Sequence, residues 1–85
     1  IDFEATWCGP CHTMDQWIWT DSEVAAALTA DFIGVKIDAD LEKALIKRFA
    51  ITGYPTMVIL DATGKEVRRV AEYQGSLAML AFLGG

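Results

Sequence analysis

The apolar positions change period along the chain, and each change marks a structural element. Residues 1–5 alternate, with Ile1, Phe3 and Ala5 apolar and Asp2 and Glu4 acidic, which is the period of a strand. From Pro10 to about Trp19 the spacing is helical, with Met14, Trp17 and Ile18 as the apolar stripe and Asp15 and Gln16 facing water. Thr20-Asp21-Ser22-Glu23 has the form of a capping box and opens a second helical stretch through about Ala30, with Val24 and Leu28 inward. The pattern fits one kinked helix or two. Phe32 to Asp38 is rich in β-branched residues and reads as the second strand. Asp40 is placed to cap a helix from Leu41 to about Phe49, with Leu41, Leu45 and Phe49 on one face. Gly53 and Pro55 mark a tight turn before a buried strand, Met57 to Leu60. Asp61-Ala62-Thr63-Gly64 then turns the chain into a charged partner strand, Lys65 to Glu72, suited to a sheet edge. Gln74-Gly75-Ser76 leads to a last helix through Leu83. The order β-α-β-α-β-β-α gives an α/β fold, with one four-stranded mixed sheet and helices on both faces.

Composition narrows the partners. A chain of 85 residues, 53% of them hydrophobic, makes one small domain (residues 1–85) able to bury a core without extra staples. A net charge of −5 without a basic run argues against nucleic acid and against an anionic membrane surface. The apolar stretches fall far short of the ~20 residues of a membrane span, so this segment is expected to make no membrane contact; a monomer is expected. The chain begins inside a strand-like run and reads as cut from a longer protein.

The chemistry concentrates in Trp7-Cys8-Gly9-Pro10-Cys11-His12, which holds both cysteines. Gly9 permits a tight turn, and Pro10 fits a helix's first turn, where a missing N–H costs nothing. Cys8 then stands at the helix N-terminus, with Cys11 about one turn in on the same face. The helix dipole favours a thiolate at Cys8, making it the attacking sulfur, with Cys11 as the resolving thiol. Other readings of the stretch exist. Two cysteines and one histidine are too few for a structural zinc site without carboxylates or a second chain. C-x-x-C-H is also the pattern of c-type haem attachment, with Met14, Met57 and Met79 as candidate axial partners. A static disulfide is the third reading, although so short a loop makes a weak staple. Asp2 is either a solvated edge charge or, if helices cover both faces of its strand, a buried carboxylate with a raised pKa that shuttles a proton. Lys36 is either solvated or paired with Asp2 or Glu4.

These residues together resemble a thioredoxin-family domain over nearly the whole chain. Trp7-Cys8-Gly9-Pro10-Cys11 is similar to the family's active-site motif residue for residue. Asp2 falls where the family carries its buried aspartate, and Lys36 in Val35-Lys36-Ile37-Asp38 matches the strand lysine near it. Tyr54-Pro55-Thr56 resembles the loop whose cis-proline faces the dithiol. Thr20 to Val24 and Gly53 to Thr56 look like the branch that includes the C-terminal domain of bacterial thiol:disulfide interchange proteins, a branch often exported to the periplasm.

The resemblance implies a minimal thioredoxin fold and a thiol:disulfide oxidoreductase that reduces protein disulfides. It implies Cys8, Cys11, Asp2 and Lys36 as catalytic residues. Trp7, Gly9, Pro10, Tyr54, Pro55 and Gln74 would bind substrate. It implies no metal, no cofactor beyond the redox-active Cys8–Cys11 disulfide, and as partners disulfide-containing proteins and an upstream thiol reductant. The sequence departs from the family in four places. The usual first strand and helix have no counterpart. Glu4 puts a second carboxylate near Asp2 where an aromatic is common, His12 replaces a frequent lysine and would add a pH-dependent charge, and Glu72 stands where a glycine often borders the substrate groove.

Overall fold

The computed structural model describes residues 1–84. Its elements are β1 (Asp2–Glu4), α1 (Gly9–Trp17), α2 (Ser22–Asp31), β2 (Lys36–Asp38), α3 (Lys43–Arg48), β3 (Thr56–Leu60), β4 (Glu66–Ala71) and α4 (Ser76–Gly84). The sheet order is β2-β1-β3-β4, with β1 parallel to β2 and antiparallel to β3, and β3 antiparallel to β4. This is the expected four-stranded mixed sheet.

Strand β1 is central, and its alternation sorts the core. Phe3 points to one face, where it is buried with Ile51 and Val58 against Leu45, Ile46 and Phe49 at α3. On the other face Met14 and Ile18 of the α1 region, Val24 of α2, and Met79 and Leu83 of α4 enclose Met57. The three methionines weighed as axial haem ligands are therefore core residues. Helices cover both faces, which makes both faces of β1 interior.

The helical stretch after the cysteines is two helices. After α1 the backbone N–H groups of Ile18 and Trp19 both bond the Met14 carbonyl, at 2.9 and 3.0 Å. That wider turn swings Trp19 toward the core, and Trp17, expected inward, is exposed. The buried stripe is Cys11, Met14 and Ile18 instead. Asp21, not Thr20, caps α2: its Oδ1 accepts from the N–H groups of Glu23 (3.0 Å) and Val24 (3.1 Å). A carboxylate is the stronger acceptor beside a helix's positive end. Thr20 donates to the Gln16 carbonyl.

The second strand is shorter than its composition suggests. Phe32 is the C-cap of α2, and Ile33 is 92% exposed. Pairing with β1 starts at Asp2 opposite Lys36, so residues 32–35 have no ladder beside them apart from the Asp2 N–H to Val35 carbonyl bond. Helix α3 also starts late. Asp38 organises the turn before it, accepting the Asp40 N–H at 2.9 Å, and Leu41 is exposed. Beyond α3 and its C-cap Phe49, Ala50 turns the chain in the left-handed region at φ 52°, and Ile51 N–H bonds the Ile46 carbonyl. The hairpin turn forms as expected: Asp61 Oδ1 accepts from the Thr63 and Lys65 N–H groups, and Gly64 supplies a positive φ of 85°.

Candidate active site

The site grows from the N-terminus of α1. Cys8 is the N-cap, in an extended conformation, and Pro10 lies in the first turn. This geometry turns the Cys11 N–H onto Cys8 Sγ at 3.2 Å. The two cysteines form a disulfide with Cα atoms 5.3 Å apart, inside the usual window. They are 5% and 3% exposed and pack with Ala5 and Ala39 against Ile46 and Tyr54.

Around them lies a rim. Trp7 is 66% exposed and stands edge-on to Tyr54, ring centroids 5.7 Å apart. Its indole N–H donates to Asp40 Oδ2 at 3.0 Å, so the residue expected to cap α3 instead fixes the rim tryptophan. Gly9 and Pro10 are exposed beside it. The Tyr54–Pro55 peptide is cis. The Pro55 carbonyl accepts the Glu72 N–H at 2.7 Å, which ties this loop to the end of β4. Glu72, at a position where glycine is common in the resembling family, adopts φ 71°. Gln74 donates its amide to the Ala71 carbonyl at 3.0 Å and so braces the same corner. His12 donates from Nε2 to the Thr6 carbonyl.

A charged cluster gathers where β1, β2 and α1 meet. Asp2 and Glu4 are two apart on β1 and share a face. Lys36 is directly opposite Asp2 in the parallel register. Asp15 is one helical turn past Cys11 on the same face of α1. Asp15 was expected to face water, but its carboxylate comes within 4.8 Å of those of Asp2 and Glu4. The signal for it was the spacing of four from Cys11. Lys36 Nζ donates to Asp15 Oδ1 and lies 3.8 Å from Glu4 Oε2. The cation among these carboxylates is thus the lysine's own ammonium. Lys36 is half-exposed; of the two expected partners it approaches Glu4 but makes no ion pair with Asp2, and its hydrogen bond goes to Asp15.

Asp2 is 9% exposed, and its Oδ1 has no hydrogen-bond partner. Burial pushes its pKa from 3.8 up to about 6, the Glu4 charge adds to the shift, and Lys36 opposes it. Burial raises the pKa of Glu4 as well. For Lys36, partial burial works against the charge, but the Asp15 hydrogen bond and the neighbouring carboxylates outweigh it and raise the pKa. Asp2 and Lys36 also border an open groove of about 750 Å³ whose other walls are mainly apolar, among them Trp19, Phe32 and Phe82.

A family model described as thioredoxin-like matches residues 1–62. The chain belongs to the thioredoxin-like family. It is 35% identical over 88 residues to the thiol:disulfide interchange protein DsbD of Ralstonia nicotianae, covering 98% of this chain and 14% of that one. Thioredoxin-1 of Drosophila melanogaster is 34% identical over 76 residues, covering 89% of this chain and 64% of that one. The solution structure of a thioredoxin from Thermus thermophilus superimposes with a TM-score of 0.86 at 25% identity, covering 98% of this chain and 68% of that one. The chain spans less than two thirds of the length of these two curated relatives. Within the thioredoxin-like fold, the paired cysteines pack with Ala5, just past the C-terminal end of β1, and the buried Asp2 carboxylate opens that strand.

Proposed function

We propose that the protein is a thiol:disulfide oxidoreductase that reduces disulfides of protein substrates. The observation that carries this reading is the pairing of Cys8 and Cys11 at the N-terminus of α1, with the Cys11 N–H directed at Cys8 Sγ. In the reduced form that N–H and the helix dipole stabilise a Cys8 thiolate. The thiolate attacks one sulfur of a substrate disulfide. A Cys8–substrate bond forms, the substrate S–S bond breaks, and the second substrate sulfur leaves as thiolate. Cys11 then gives its proton to the Asp2 carboxylate, directly or across one water. Its thiolate attacks Cys8 Sγ, which closes the Cys8–Cys11 bond and releases the first substrate sulfur. An upstream thiol reductant returns the pair to the dithiol. The chemistry needs no metal or other cofactor.

Lys36 sets the charge around Asp2. The Trp7–Tyr54 rim, Gly9, Pro10, Pro55 and the Gln74 corner form the surface on which an extended substrate segment lies.

The low exposure of both cysteines favours a second reading, a thioredoxin-like binding module with a static disulfide. The equilibrium reduction potential of the Cys8–Cys11 pair separates the two. Poised against defined thiol/disulfide buffers and read by tryptophan fluorescence and alkylation mass, a reductase is expected near the −270 mV of thioredoxin. A value of about −120 to −180 mV would reverse the direction of electron flow and make it an oxidant or isomerase. A pair that stays oxidised in strong reductant would support the static module. Cys8→Ser should abolish insulin reduction, and Cys11→Ser should accumulate the mixed disulfide. Turnover by Cys8→Ser at the parent rate would overturn the mechanism.

A further inference from the structure

Three charged side chains surround Asp2, and the one cation among them does not bond to it. Lys36 stands directly across from Asp2 on the neighbouring strand, the position from which its ammonium would most easily pair with that carboxylate. Its Nζ instead donates to Asp15 on α1 and faces Glu4 two residues along β1. Asp2 Oδ1 is left buried with no partner.

We propose that Asp15 and Glu4 are positioning residues for dithiol exchange: together they keep the Lys36 ammonium from pairing with Asp2, which leaves the Asp2 carboxylate free to accept a proton. The proposal rests on the reading of the protein as a dithiol oxidoreductase.

A general base works best when its pKa lies near the working pH. An aspartate paired with an ammonium is too weak a base to take a thiol proton readily, because an opposite charge within about 4–6 Å stabilises the carboxylate. Here two carboxylates compete for the single ammonium and also repel charge on Asp2. The remaining surroundings of Asp2 do not alter this balance. Strand β3 presents apolar Met57 opposite it, and the α-amino group of Ile1 lowers its pKa as the smallest of the contributions. From α1 and β2, His12 and Asp38 act on Glu4 with opposite signs. Asp15 lies one turn from Cys11, so the group that holds the lysine sits beside the thiol that must lose its proton. Asp2 and Lys36 both border the open groove, which gives the transferred proton a route to solvent.

The test is the titration of the Asp2 side-chain carbonyl by ¹³C NMR in the disulfide form, where the cysteines do not titrate, alongside the pH profile of kcat/KM for disulfide reduction. Asp15→Asn and Glu4→Gln each remove a carboxylate and release the ammonium toward Asp2. Each should lower the Asp2 midpoint by roughly one pH unit and shift the acid limb of the rate profile the same way. Lys36→Gln should raise the midpoint by a similar amount. In the Lys36→Gln background, Asp15→Asn should move the midpoint by less than half as much as in the parent, because most of its action runs through the lysine. An unchanged midpoint in both carboxylate variants would overturn the proposal. So would an Asp15→Asn shift of equal size with and without Lys36. The NMR arm needs no turnover, so a failed charge arrangement shows there, whereas a parent protein without turnover counts against dithiol exchange itself.

Discussion

Neighbouring residues of β1 face two different interiors. Phe3 enters a dry cluster, fully buried, with the Phe49 ring 5.5 Å from its own. Asp2 and Glu4 enter the other side, where three carboxylates and one ammonium gather under the helix that carries the dithiol. The first arrangement contributes apolar burial and packing, roughly 1.5–3 kcal/mol for a side chain of this kind. The second opposes folding, because an ionised carboxylate loses water and gains no hydrogen bond at Asp2 Oδ1. The contrast sets packing at Phe3 against a costly buried carboxylate at Asp2, where the proposed proton chemistry would sit, a trade-off common at functional sites.

The sharpest way to break that contrast is to empty the dry side. Phe3→Ala should destabilise the fold by about 3–5 kcal/mol, a large fraction of what a small domain has. Denaturant midpoints at constant slope would show it. The Asp2 titration should stay near pH 6 wherever the variant remains folded, since no charge has changed. A moved midpoint would mean that the two faces are coupled.

The opposite substitution should have the opposite sign. In the folded chain Asp2 keeps its proton to about pH 6, against an ordinary value of 3.8. Between those values the folded state binds more protons than the unfolded one, so stability falls as pH rises through the window. Above it the full penalty stands, about 3 kcal/mol for such a shift. Asp2→Asn should therefore be more stable than the parent at pH 7 by up to that amount, with the difference vanishing near pH 4. It should also slow resolution of the mixed disulfide. Equal stability of the two proteins at pH 7 would show that Asp2 is not held at a cost.

These two residues also show what the sequence could tell. The alternation of residues 1–5 announced a strand, but left its acidic face either solvated at an edge or interior beneath covering helices. The paired cysteines and the Tyr54–Pro55 turn were legible because each needs particular residue types at fixed spacing. Asp15 was missed, because its charge spoke for water and outweighed the spacing of four that puts it on the face of Cys11. It is drawn in by Lys36, from a strand that meets α1 only in three dimensions. Trp17 leaves the expected apolar stripe for a similar reason: the wide turn at Met14, invisible in the pattern, brings Trp19 and not Trp17 against the core. The Phe32–Val35 run has strand composition, yet it forms no ladder because β1 pairs only from Asp2 opposite Lys36 onward.

A smaller pair of substitutions sharpens the same division. Ala50 and Glu72 are the two non-glycine residues with positive φ among those described, at 52° and 71°. Ala50 follows the C-cap of α3 on the dry side. Glu72 ties β4 to the Pro55 carbonyl beside the dithiol. An L-residue in the left-handed region costs roughly 1–2 kcal/mol, part of which glycine returns through its greater entropy when unfolded. Ala50→Gly should thus stabilise by about 1 kcal/mol and leave disulfide reduction unchanged, as a helix terminus closed by glycine would. Glu72→Gly should stabilise by a similar amount but also change KM, because it removes a carboxylate beside the proposed substrate surface. If Glu72→Gly altered stability alone, the corner at Pro55 would belong with the dry face as scaffold, and the substrate surface would shrink to Trp7, Tyr54 and the turn at Gly9 and Pro10.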